Sequence, residues 1–246
     1  MFGTKMSKIY AIFFLMVFSA GAWLSGEELP EWYTQLRDAV YSQDLSSQDL
    51  TGLYSAARDR AQKELSGAAL SVMLSRCEYM MGRSLQYEGN KDEAAAYYAR
   101  GMNYAQEALD REASAEGWQM LAENISQSCV VRSTAWAMAN GLKVERYARN
   151  ALSIDPGNTA AQHMIAARYV YAPAPFHNYK KGIQMMQAIL NNFDSRLQKD
   201  DRFNVYSAIG YALYQQGNNG DAKGWLTKAL ELYPDNKFVG NLLAGL

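Results

Sequence analysis

The residues of this chain best suited to chemistry are few and scattered. The two histidines are His163 and His177, and the two cysteines are Cys77 and Cys129. A catalytic centre needs groups that exchange protons or attack, held close together. His163 falls on the inner face of its helical pattern and His177 in a Pro-rich loop, with no carboxylate or thiol clustered beside either. That spacing makes no metal site and favours a hydrogen-bonded or solvent-facing histidine over a catalytic one. Cys77 and Cys129 lie on apolar helical faces, outside any CxxC or ligand spacing. Two buried thiols are the favoured reading, and an oxidising compartment keeps a disulfide open as the alternative. Asp44/Asp49, Asp92/Glu93 and Asp200/Asp201 read as loop and helix-start charges before they read as an acid–base pair. Gly217 to Gly220 is turn chemistry between helices, not a phosphate loop, and no GxSxG occurs. Met80-Met81 and Met185-Met186 sit at core spacing. The expectation is a protein without catalytic residues, cofactor or metal.

What the residues do offer is a surface. Its elements are clearest from Phe203 to Pro234, where two helical patterns meet at the turn Gly217-Asn218-Asn219-Gly220. Tyr206, Ile209, Gly210 and Leu213 share one face, as do Ala222, Leu226 and Ala229, and Pro234 stops the second helix. Gly210 and Ala222 are small where two helices must approach closely. This pattern resembles the tetratricopeptide repeat (TPR), a helix–turn–helix unit of about 34 residues. Tyr206 stands for the usual Trp, followed by Ile209, Gly210, Leu213, Gly217, Ala222, Leu226, Ala229 and Pro234. One unit cannot bury its apolar face alone, so neighbours are expected.

They are legible upstream. A segment at 66–112 carries Met81, Gly82, Leu85, Ala94, Tyr98 and Gly101 at signature positions, with Glu78 where a large aromatic is usual. A unit at 114–156 has Trp118, Leu121, Ala122 and Ile125, then stays helix-compatible to Ala139, with Asn140-Gly141 as the next break. It carries about ten extra residues, read as an extension of its first helix. A unit at 157–194 contains Ile165, Ala166 and Tyr169, then Ala172 to His177, where two prolines deny helix. After the unit at 201–234, a tail at 235–246, capped by Asp235, covers the exposed end. Asp92 is read as the cap of the helix that follows Gly89-Asn90. Ahead of the repeats, 23–65 reads as an N-terminal helical pair covering the other end, with Tyr33, Leu36 and Val40 inward in its first helix and a Ser46/Asp49 capping box opening its second. The fold expected is an all-α solenoid of TPR-like hairpins with an N-terminal helical pair and a short C-terminal capping helix.

The N-terminus has a different character. Lys5 and Lys8 precede an apolar run, Ile9 to Phe18, and the small residues Ser19 to Ala22 follow. Residues 1–22 read as a signal peptide cleaved after Ala22; the apolar run is about half of the roughly 20 residues a spanning helix needs. No Cys follows it, which argues against a lipoprotein. The expectation is an exported, periplasmic protein with no stable membrane insertion. Its 246 residues are 49% hydrophobic, 20% charged and of net charge -1, a balance that gives no electrostatic case for nucleic acid.

Residues 136–176, with a "YAP" loop interrupting a repeat, resemble a subgroup of exported bacterial TPR proteins. Some members serve as partners of periplasmic solute-binding proteins in TRAP-type transport. In a TPR stack the first helices line the concave side. The repeat count then places Arg76, Tyr79, Arg83, Gln86, Tyr87, His163, Tyr171, Asn204, Ser207, Tyr211, Tyr214 and Gln215 on that face. Tyr and Arg anchor peptides and protein loops efficiently, and the chain has 17 Tyr. The competing account is that these tyrosines pack between repeats with wet hydroxyls. Two functions follow. One is a scaffold or adaptor of the cell envelope that binds a protein or peptide in the groove. The other is a transport accessory that handles a small apolar ligand with a solute-binding protein. Oligomerisation is left open by both.

Overall fold

The structure is a computed structural model that describes residues 29–246; the leader expected at 1–22 lies outside them. Among the described residues the chain is built from helices: α1 (Glu31–Ser42), α2 (Ser47–Glu64), α3 (Gly67–Tyr87), α4 (Lys91–Arg111), α5 (Ala115–Val131), α6 (Thr134–Ile154), α7 (Thr159–Tyr171), α8 (Tyr179–Phe193), α9 (Lys199–Gln215), α10 (Asn219–Leu232) and α11 (Lys237–Ala244), with a short 3-10 turn at Asp194–Arg196.

Side chains that satisfy the first backbone N–H groups set the starts of these helices. Ser46 and Asp49 form a reciprocal capping box on α2. Ser114, Ser133, Asn158, Asn178, Asn218 and Asn236 each accept a backbone N–H at the start of α5, α6, α7, α8, α10 and α11. Two inner helices end alike. Gly89 (φ 83°) and Gly217 (φ 75°) adopt the left-handed conformation that glycine tolerates. The next residue's N–H then reaches back, Asn90 to Leu85 O at 2.9 Å and Asn218 to Leu213 O at 3.0 Å.

Consecutive helices pair as hairpins, and the hairpins stack into an all-α solenoid. Close approach within a hairpin requires a missing Cβ. One added at Gly82 would come within 2.5 Å of the Tyr98 ring, and one at Gly210 within 2.7 Å of Leu226. These two glycines hold equivalent places in the second and fifth hairpins.

Three local expectations are corrected. The third hairpin turns at Arg132–Ser133, not at Asn140-Gly141, because Ser133 caps α6 by accepting from Trp136 N. Asn140 instead donates to Trp136 O at 2.9 Å inside α6. The added length therefore belongs to the second helix of that hairpin, and its overhanging first half exposes Met138 and Leu142. The cap of α11 is Asn236 rather than Asp235, with its Oδ1 accepting from Val239 N. Asn90, not Asp92, stands at the start of α4, and Asp92 lies in its first turn.

The N-terminal pair covers more than one end. Helices α1, α3, α5, α7 and α9 form an inner layer, each packed on the next, and α1 packs on α9 as well as on α3. The solenoid thus closes into a ring, with α2, α4, α6, α8 and α10 outside. Tyr41 of α1 stacks on Tyr233 (centroids 5.3 Å apart) and meets the edge of Phe203 at 5.6 Å. Asp38 accepts from Arg37 Nε at 2.9 Å and from the Tyr233 hydroxyl at 2.8 Å. Arg37, 4% exposed, also pairs with Asp200 at 3.0 Å. Asn236 donates to Tyr41 O, and Asn204 to the Tyr41 hydroxyl. Burying one such tyrosine contributes about 2–3 kcal/mol before its polar bonds are counted.

Glu78 is the other buried anchor. It is 1% exposed and accepts from Tyr54 Oη at 2.7 Å, from Arg100 Nε at 2.8 Å and from Arg58. A carboxylate where a repeat carries an aromatic is tolerated because α2 and α4 each bring it a cation.

Candidate functional site

The inner layer surrounds a chamber of about 590 Å³. Its lining comes from α1, α3, α5, α7 and α9, with Phe238 of α11 and Arg196 at the margins. Alternate helices of a hairpin stack run in the same direction, so the chamber has two unlike ends. The helix starts supply Glu116, Gln119, Thr159, Asp200 and Asp201, with Glu123 at the midpoint of α5. The later halves of the inner helices supply Arg83, Tyr87, Val130, Tyr171 and Tyr211, joined by Phe238 from the first turn of α11. One end is acidic and polar; the other is aromatic around a cation.

Partners hold the polar end in place. Thr159 Oγ1 donates to Asp201 at 2.6 Å, Asn158 Nδ2 donates to Gln119 at 2.9 Å, and Arg196 pairs with Asp155 at 2.8 Å. Burial pushes the Asp201 carboxyl up to about 7, helped by the neighbouring charge of Asp200. Burial also raises Glu123 to about 7, against the opposing pull of Arg76, and raises Glu116. Losing water destabilises the ionised carboxylate more than the acid. His163 moves the other way, down to about 4, through burial and then the charge of Arg83. It is a neutral imidazole at neutral pH.

At the aromatic end Arg83 is caged. Its guanidinium carbon lies 5.0 Å from the Tyr87 ring centroid, 5.3 Å from Tyr41 and 5.8 Å from Tyr79. It donates from one terminal nitrogen to Tyr79 Oη at 3.1 Å and from the other to Tyr87 Oη. The buried Arg83 Nε has no partner. Tyr171 and Tyr211 face each other with centroids 5.2 Å apart, and Phe238 lies 6.3 Å from Tyr211.

Of the residues expected on the concave face, Arg76, Tyr79, Arg83, Gln86, Tyr87, His163, Tyr171, Asn204, Ser207 and Tyr211 line this chamber together. Tyr214 and Gln215 do not. The last turn of α9 passes beyond the lining, where the Tyr214 hydroxyl reaches Gly245 and Gln215 is exposed. His177 stacks on Tyr179 at 4.5 Å in the Pro-rich loop, away from the chamber. Cys77 is buried, Cys129 half-buried, and both are free thiols; burial pushes Cys77 up to about 12.

Sequence reasoning missed the contribution of α1, Tyr33 and Tyr41, because a terminal pair was not expected to touch the concave face. It also missed the polar stripe of α5. Glu116, Gln119, Glu123 and Gln127 recur at helical spacing opposite Trp118, Leu121, Ala122 and Ile125, so that signal was available.

No curated protein matches this chain. A family model does, over residues 34–239, a span that runs from the first turns of α1 into α11 and so takes in the ring and its chamber. The chain belongs to the family described as regulator of microtubule dynamics protein 1-3.

Proposed function

We propose that this chain is a non-enzymatic binding protein whose ring holds a small amphipathic ligand. The observation that carries this reading is the closure of α1 on α9, which turns a concave face into a chamber of about 590 Å³. That size falls within the roughly 300–1,000 Å³ typical of small-molecule sites. An acidic end and an aromatic end suit a molecule with a polar head and an apolar body. The signature residues Tyr206, Ile209, Gly210, Ala222, Leu226, Ala229 and Pro234 support reading the hairpins as TPR-like. The apolar run after Lys5 and Lys8 supports an exported, periplasmic protein, in which a solute-binding protein of a TRAP-type system is a fitting partner. No helix among the described residues is long and apolar enough to cross a membrane.

The test is native mass spectrometry of gently purified full-length protein. An added mass of several hundred daltons, lost on denaturation, is the expected result. An empty chamber in material taken directly from its own compartment overturns the small-ligand reading.

A specific observation favours a second reading, the envelope adaptor. Val130, Met138 and Leu142 are exposed apolar residues near the α5–α6 turn, and an exposed apolar patch, where such residues are contiguous, marks a protein-binding surface. Pull-down with Met138→Lys/Leu142→Lys tests it: loss of a partner with retained helicity supports the adaptor, and unchanged capture refutes it.

A further inference from the structure

Arg83 is the cation at the aromatic end of the chamber, and no acid pairs with it there. Its guanidinium is sheltered among Tyr41, Tyr79 and Tyr87, and its Nε is buried without a hydrogen-bond partner. Among the described residues no carboxylate is bonded to it; its two bonds go to phenol oxygens. This contrasts with Arg37, Arg58, Arg100, Arg168 and Arg202, each of which meets an acid. Arg83 is half-buried, and a cation partly withdrawn from water without an anion leaves a cost that an arriving counter-charge offsets.

The cage is set up to receive one. Because Tyr79 Oη and Tyr87 Oη accept from Arg83, their own protons are left to donate elsewhere. Two phenol donors thus flank the guanidinium at the chamber wall. Ser207 Oγ, also buried and unpartnered, lines the same chamber. Charge-assisted bonds of this kind are the strong ones. Beyond the cage lie the apolar surfaces of Tyr171, Tyr211 and Phe238. We propose that the Arg83 cage is a carboxylate-binding subsite, and that the ligand is a monocarboxylate whose apolar body runs toward the Tyr171–Tyr211–Phe238 rim. Arg83 is the one arginine at this aromatic end, while Arg76 acts on Glu116 and Glu123 and Arg196 pairs with Asp155, so the subsite offers a single charge and matches a monoanion. The proposal deepens the ligand-holding reading above and rests on it.

Isothermal titration calorimetry with octanoate and with 1-octanol tests it on the full chain. Wild type should bind octanoate at least tenfold more tightly than octanol. Arg83→Met should erase that preference while leaving octanol within about twofold. Arg83→Lys, which restores the charge without the fork, should recover part of it. Circular dichroism confirms that each variant is folded. Tyr87→Phe, which removes one donor and keeps the ring, is the second variant should Arg83→Met fail to fold; it should weaken octanoate severalfold and spare octanol. Equal binding of octanoate and octanol to wild type overturns the carboxylate subsite and leaves the small-ligand reading standing. Unchanged octanoate affinity in Arg83→Met or Tyr87→Phe does the same. A short apolar peptide, with its C-terminus free or amidated, separates the two sources of a carboxylate. Binding of only the free-ended peptide, without octanoate, keeps the subsite and overturns the small-ligand reading. Binding of neither octanoate, octanol nor peptide overturns both.

Discussion

Removing Tyr41 and Tyr233, singly and together, tests whether the ring is closed. Tyr233 is fully buried and Tyr41 is 1% exposed. Each stacks on the other at 5.3 Å and each meets the edge of Phe203. Truncating one such ring to alanine should cost about 3–5 kcal/mol. Tyr233→Phe keeps the packing and loses the bond to Asp38, which still accepts from Arg37 at 2.9 Å. It should cost only about 1 kcal/mol. The decisive quantity is the coupling. In an open rod these residues sit at opposite ends, share no partner, and their effects add within about 0.3–0.5 kcal/mol. In a closed ring they share one interface, so the first truncation already weakens what the second would remove. The double variant should then fall short of the sum of the singles by about 1 kcal/mol or more. The assay is urea unfolding followed by far-UV circular dichroism, with the slope checked for constancy across the four proteins. Additive losses, or a Tyr233→Ala cost under about 1 kcal/mol, refute the closure.

Three further outcomes are expected. Glu78→Ala strands Arg58 and Arg100 beside a vacated site; since both cations are partly exposed, the loss should be about 3 kcal/mol, at the lower end for a broken buried pair, read as a shift in urea midpoint. Gly101→Ala places a Cβ within 2.2 Å of Asn124 Oδ1, whereas a Cβ at Gly52 meets nothing within 4 Å. The first should lower stability by about 1–3 kcal/mol and the second should raise it by about 0.5–1 kcal/mol, both measured by thermal melts. Glu123, held at about 7 in the folded chain against about 4.3 unfolded, contributes stability that is present below its unfolded value and lost as pH rises to about 7. Gln119, Arg76, Arg83 and Asp200 are the groups acting on it. Glu123→Gln removes that loss, so its Tm relative to wild type should climb between pH 5 and pH 8; a flat difference speaks against the burial of this carboxyl.

The repeat period was the most legible feature of the sequence, because apolar spacing and turn glycines act locally. Gly82 with Tyr98 and Gly210 with Leu226 are contacts within one hairpin, and their residue types alone identify them. The third hairpin was misdivided for an equally local reason. Asn140-Gly141 reads as a break, yet the Asn140 side chain bonds back to Trp136 O and the helix runs through. A serine cap at Ser133, with no glycine beside it, sets the true turn. The concave residues of α3, α7 and most of α9 were reached by counting, since a TPR-like register fixes which positions face inward. Tyr214 and Gln215 fell outside because counting assumes every helix is lined along its whole length. The seam was not legible at all. Tyr41, Asp38, Asn204 and Tyr233 acquire meaning only when superhelix curvature brings the chain ends together, and curvature accumulates from small rotations no single window encodes.

Closure also changes what the same residues can do. In an open solenoid each hairpin answers only to its neighbours, and a concave face stays in contact with bulk water. There Arg83 would be a hydrated cation and Glu123 an ordinary carboxylate. Once α1 bridges α3 and α9, both lie in a walled space, Arg83 toward its tyrosines and Glu123 toward its polar side chains. Burial there lets Glu123 and Asp201 hold their protons up to about 7, and His163 loses its own above about 4. The opposing shifts of acids and imidazole have the same physical origin: each chooses its uncharged form. Arg83 has no uncharged form to choose. It alone keeps its charge at that end of the chamber, so an anionic ligand gains most there.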